Sequence, residues 1–75
     1  MISRYGIEVV TAIVNGEECA IGDGETIADL LATLKLGGRR IAVEQNLDIV
    51  PSSEYRSRGI RDGDRIEIVQ FVGGG

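Results

Sequence analysis

Three consecutive glycines, Gly73, Gly74 and Gly75, follow directly on a strand-like run ending in Gln70, Phe71 and Val72. Ordering glycine costs backbone entropy and buries almost nothing, so such a run adds little to a fold. Its value would be chemical. A strip without side chains can thread a narrow channel, and no bulk crowds its last carbonyl carbon. The sequence stops at Gly75, so the expectation is that Gly75 carries the free α-carboxylate, whose pKa of about 3.5 leaves it ionised near neutral pH. Such an anion is a nucleophile towards the α-phosphate of ATP. The acyl-adenylate it forms is open to attack by a sulfur donor or an amine. A frayed terminus is the competing reading. An aromatic strand that runs into the glycines without a polar spacer argues for a working tail.

The other chemistry-bearing residues are sparse. Cys19 is the sole cysteine and the chain has no histidine, so a thiolate nucleophile lacks its usual base. A buried, inert cysteine is the expectation for Cys19, and a reducing compartment suits it. Asp62 and Asp64 flank Gly63, where turn chemistry accounts for them without a metal. The segment "GDGET" lacks the lysine and spacing of a phosphate loop. No catalytic constellation emerges, and the expectation is a protein that is not itself an enzyme.

With 75 residues the chain has room for one domain. A domain of this size buries only about 60% of its unfolded surface, which disfavours a roomy enclosed active site. Its formal net charge of −4 makes duplex nucleic acid a poor partner and would attract a basic protein. No apolar stretch approaches the roughly 20 residues of a membrane span, and "MISRYG" lacks the apolar run of a signal peptide. The expectations are no membrane, no nucleic acid and a cytoplasmic location.

The elements that must position the tail are legible from pattern. Residues Glu8 to Val14, rich in β-branched side chains, read as a strand. Asn15-Gly16 then supplies a type I′ hairpin turn into a second strand, "EECAI". "GDG" at Gly22 to Gly24 breaks that strand, and the period changes. Ile27, Leu30, Leu31 and Leu34 recur at helical spacing on one face. Thr26 suits the N-cap, Asp29 and Lys35 suit the two dipole ends, and Gly37 suits the C′ position. Strand character returns in "RRIAVEQN", with "LDIV" as a short partner. Pro51 and "SSEYRSRGI" predict a loop or a 3₁₀ turn, "RDGD" a turn, and "RIEIVQFV" the last strand. The order β-β-α-β-(β)-loop-β is that of an α+β roll.

Alternation in the last strand puts Ile66 and Ile68 on one face and Glu67, Val69 and Phe71 on the other. By the same parity Ile41 and Val43 point inward and Ala42 outward. Ala42, Val69 and Phe71 would then form an apolar patch on the bare side of the sheet, suited to docking. Cover by the "SSEYRSRG" loop, or a bulge that reverses the alternation, is the competing expectation.

The set "IVNGE", "TIADLLATLKL", "RRIAVEQN", "IVP" and "DGDRIEIVQFVGGG", in that order from Ala12 onward, resembles the ThiS family of bacterial sulfur carriers. The resemblance implies a ubiquitin-like β-grasp fold, α+β, with a mixed sheet of four to five strands packed on one helix. It divides the chain into a β-grasp domain, 1–72, and a flexible glycine tail, 73–75. It also implies a role in thiamine biosynthesis. Gly75 would be adenylated by a ThiF-like, E1-type enzyme that uses Mg-ATP, the carrier itself holding no cofactor. The adenylate would become a thiocarboxylate that delivers sulfur to a ThiG-like thiazole synthase. Gly74 matches the penultimate glycine of the pattern, Gly73 less strictly, and both would thread the tail into the partner. Val69, Phe71 and Val72 sit where such carriers meet their partners, and the Ala42 of the parity argument joins them as an expected docking residue. A MoaD-like carrier for molybdopterin, a ubiquitin-like protein modifier and a plain interaction module with an idle tail are the alternatives.

Overall fold

The computed structural model describes residues 8–71. Strands β1 (Val9–Val14) and β2 (Glu17–Gly22) pair antiparallel, with Val14 opposite Glu17. The two residues between them have φ of 49° at Asn15 and 85° at Gly16, the left-handed pair that a type I′ turn needs. The expected hairpin is present.

Helix α1 (Ile27–Thr33) opens with a reciprocal cap. The Asp29 amide donates to Thr26 Oγ1 at 3.3 Å, and the Thr26 amide donates to Asp29 Oδ2 at 2.9 Å. Two of the helix's orphan donors are thereby satisfied. The helix closes earlier than its sequence period suggests. Leu34 is the C-cap and is 41% exposed, so it drops out of the expected buried face of Ile27, Leu30 and Leu31. Gly37 does not serve as C′. That position falls to Lys35, at φ 61°, outside the last helical turn. Its amide bonds to the Ala32 carbonyl and the Leu36 amide to the Leu31 carbonyl, the two bonds of a Schellman closure. This closure turns the chain so that Leu36 packs back against the core.

Strands β3 (Ile41–Gln45) and β4 (Asp48–Val50) form a second antiparallel hairpin. Its turn, Asn46 at φ 53° and Leu47 at φ 73°, repeats the left-handed pair without a glycine. A 3₁₀ turn, Ser52–Glu54, follows Pro51, and β5 (Arg65–Gln70) completes the fold.

The sheet order is β2-β1-β5-β3-β4, with β5 parallel to β1 and antiparallel to β3. The last strand in sequence is therefore the central one in space. Ala12, Val14, Ile21, Val43, Ile66 and Ile68 line the inner face against Ile27, Leu30 and Leu31. Each of the valine, isoleucine and leucine side chains contributes about 1.5–3 kcal/mol by leaving water. Cys19, expected to be buried, is only half-buried at the edge of this core, because β2 is the outermost strand.

Candidate functional site

The strand that runs towards the glycines is held on both sides by side chains from the two hairpin turns. Asn15, where the chain leaves β1, sends its amide to β5: the Ile68 amide donates to Asn15 Oδ1 at 2.7 Å, and Asn15 Nδ2 donates to the Ile68 carbonyl at 3.3 Å. The side chain stands in for the strand residue that the turn has removed. From the opposite side, the Arg65 amide donates to Asn46 Oδ1 at 2.9 Å and the Asn46 amide donates to the Arg65 carbonyl at 2.7 Å. Asparagine fits both turns because it tolerates φ above zero and carries a peptide-like amide.

Asp64 anchors the root of the same strand. It is 9% exposed and accepts from the Arg61 amide at 2.8 Å, Gln45 Nε2 at 2.8 Å and Asn46 Nδ2 at 2.9 Å. Burial alone would push its pKa up. The Arg61 amide, the two side-chain amides and the Arg61 charge outweigh it and hold the carboxyl below the usual aspartate range. Asp62 accepts from the Thr11 amide at 2.9 Å. Both acids of the "RDGD" turn thus have structural partners, and a cation is not needed to explain them.

Strand parity brings the expected docking residues together. Ala42 is directly opposite Val69 across the β3–β5 ladder, and the Phe71 amide donates to the Arg40 carbonyl at 2.9 Å two pairs further on. Val69 is 57% exposed and Phe71 59%, while Ala42 is half-buried. The 52–58 loop does not cover them, and no bulge reverses the alternation. Ile49, 74% exposed and opposite Glu44, extends the same face across β4. Sequence reasoning missed it, although the parity of "LDIV", with Val50 buried, carries the signal. Glu44 and Glu67, opposite one another, set an acidic border. Val72, Gly73, Gly74 and Gly75 lie outside the described residues, as do the boundary expected at 72/73 and the N-terminal residues 1–7.

This geometry is a rigid central strand whose end presents an apolar patch beside the start of the tail. Chemically it suits recognition more than catalysis: exposed apolar groups dock, and the polar groups nearby are engaged in holding β5. Among the described residues no group of three or more acids, cysteines or histidines could hold a metal ion. No helix among them is long and apolar enough to cross a membrane.

Comparison with known proteins adds to this. The model of the ThiS family matches residues 7–75. The sulfur carrier protein ThiS of Bacillus subtilis is 45% identical over 53 residues, 71% of this chain and 80% of that protein. A thiazole synthase of Paramagnetospirillum magneticum is 46% identical over 63 residues, 84% of this chain but 19% of the synthase. The chain thus spans about a fifth of the length of the thiazole synthases that it matches. The crystal structure of the thiamine biosynthesis protein ThiS from Geobacter metallireducens superimposes with a TM-score of 0.72 at 28% identity, covering 88% of this chain and all of that one. The β-grasp architecture expected from the sequence is the fold of this protein.

Proposed function

The chain belongs to the ThiS family, and on that premise we propose that it is a sulfur carrier for building the thiazole ring of thiamine. The observation that carries the reading is the family match, which extends through Gly75 and therefore takes in the glycine tail as well as the globule. In this reading the Gly75 carboxylate oxygen attacks the α-phosphorus of Mg-ATP on a ThiF-like, E1-type enzyme and pyrophosphate leaves. Hydrosulfide then attacks the acyl carbon, AMP leaves with its electron pair, and loss of the S–H proton leaves a thiocarboxylate. That sulfur passes to a ThiG-like thiazole synthase in the cytoplasm. The carrier binds no cofactor of its own and is not the catalyst.

The division of labour follows from the fold. Gly73 and Gly74 thread the tail, and they bring almost no recognition surface with them. Recognition falls to Val69 on β5, Ala42 opposite it on β3, Phe71 just past the strand, and Val72, which follows it in sequence. A carrier-like stretch inside proteins named thiazole synthase supports the pairing with a ThiG-like acceptor, since joining the two in one chain raises their effective concentration.

Deleting Gly74 and Gly75 tests the reading. The shortened chain is expected to keep its thermal unfolding midpoint and to lose ATP-dependent adenylation by the ThiF-like enzyme. The intact chain, incubated with that enzyme, ATP and a sulfur donor, is expected to gain the mass difference between sulfur and oxygen. Adenylation at the full rate without the two glycines would end the proposal.

A further inference from the structure

At the end of the sheet where β5 stops, two hollows adjoin. One, of about 420 Å³, is floored by Leu31, Leu36 and Ile41 and edged by Gly37, Arg39 and Arg56. The other, of about 330 Å³, shares Arg39, Ile41, Ser52 and Tyr55 with it and adds Arg40 and Phe71. Neither has a carboxylate in its lining. Arg39, Arg40 and Arg56 are all exposed, and the salt bridge found among the described residues joins Arg58 to Glu54 instead. In a chain of net charge −4, three arginines without an acid partner among the described residues, divided between two adjoining hollows that share Arg39, are a marked segregation of charge. Gly37 adds a separate observation. The helix is already closed by Lys35, φ at Gly37 is not in the left-handed region, and a Cβ there would meet nothing within 4 Å. Nothing in the chain's own packing calls for a glycine at this edge, and a side chain there would have room.

We propose that this basic hollow seats an acidic segment of the adenylating partner, with an aliphatic side chain against Leu36 and Ile41 and carboxylates against Arg39, Arg40 and Arg56. The inference rests on the sulfur-carrier reading and names the surface that the first partner reads. An acceptor can recognise the sulfur on the tail. The activating enzyme meets only glycines and an ordinary carboxylate, so it must identify the globule. The tail is short: the four residues after Phe71 span at most about 14 Å when extended. A protein that holds the Gly75 carboxylate therefore lies close over Phe71 and the hollow beside it. The acidic remainder of the carrier repels an acidic partner surface, so the arginines choose the orientation in which the tail enters.

The test uses the full chain and the ThiF-like enzyme, with pyrophosphate release as the readout. The double variant Arg39→Glu/Arg56→Glu is expected to raise the KM for the carrier about tenfold or more at low salt and to leave kcat unchanged, the gap narrowing as salt rises. Gly37→Leu, which fills the hollow without altering charge, is expected to raise KM at all salt concentrations. Both variants lie at exposed positions and are expected to unfold at the wild-type temperature. A folded double variant with unchanged KM would overturn the proposal while leaving the carrier reading intact. Protection of the arginines by inorganic phosphate, with KM again unmoved, would assign the hollow to a small anion and overturn it too. Failure of the wild-type chain to be adenylated at all would overturn the carrier reading and this proposal with it.

Discussion

Replacing Asp64 by asparagine removes one negative charge from a site that three donors enclose, and the shape barely changes. In the native protein one carboxylate oxygen takes the Arg61 amide and Gln45 Nε2, both at 2.8 Å, and the other takes Asn46 Nδ2 at 2.9 Å. Asparagine offers one acceptor and one donor group. Its oxygen belongs where two donors converge, which leaves its NH₂ facing Asn46 Nδ2, donor against donor. Asn46 cannot turn over without losing its bond from the Arg65 amide. One hydrogen bond to a charged acceptor is therefore lost, worth about 1.5–3 kcal/mol, and the remaining two weaken as the charge disappears. The recovered burial cost of the charge offsets part of this, so a net loss of about 2 kcal/mol is expected near neutral pH. For a chain of this length that is a fall of roughly 10 °C in Tm. The pH dependence identifies the cause. A carboxyl whose folded pKa is depressed adds stability above its unfolded pKa and loses it as pH falls through the folded value. The ordinary value is 3.8, and Asp64 lies below it. Urea unfolding of both proteins from about pH 6 to about pH 2 should show a constant gap above the ordinary value and a narrowing gap below it. A gap that stays the same across the whole range would refute the electrostatic argument and reduce Asp64 to a packing residue.

Lys35→Gly and Leu47→Gly each relieve a left-handed backbone at an exposed position, and each is expected to stabilise the fold by about 1 kcal/mol in urea unfolding. Asn15→Gly keeps the turn but removes both side-chain bonds to Ile68. A cost of about 1 kcal/mol and faster amide hydrogen exchange at Ile68 are expected, and unchanged protection there would rule out the clamp. Phe71→Ala truncates a ring that is 59% exposed, so Tm is expected to stay within about 2 °C while the affinity for the adenylating enzyme falls, measurable by calorimetric titration of the pair.

Much of this molecule is written in short-range pattern. The Asn-Gly turn, the Thr26 cap and the inward parity of Ile66 and Ile68 depend on a few adjacent residues, because φ preferences, capping and side-chain alternation are local properties. The exposure of Val69 and Phe71 follows from that same alternation, so the exposed apolar face was legible before any fold was known. The glycine tail was legible as composition alone. The helix end was not: Lys35 adopts a conformation that glycine would adopt more readily, and the residue after it, Leu36, packs against a core assembled from distant strands. Nor was the second two-residue turn, since Asn46 is held by Asp64 and Arg65, some nineteen residues on.

Residue types and their spacing were enough to determine the order of the elements and the inward and outward faces of β3 and β5. Tertiary structure alone decided that β5 lies at the centre of the sheet, that Asn15 grips Ile68 from 53 residues away, and that Arg56 comes to line the same hollow as Arg39. The physical reason is that strand order and loop docking are chosen by burying the helix and the inner sheet face together. That is a sum over the whole chain, and no local window of sequence contains it.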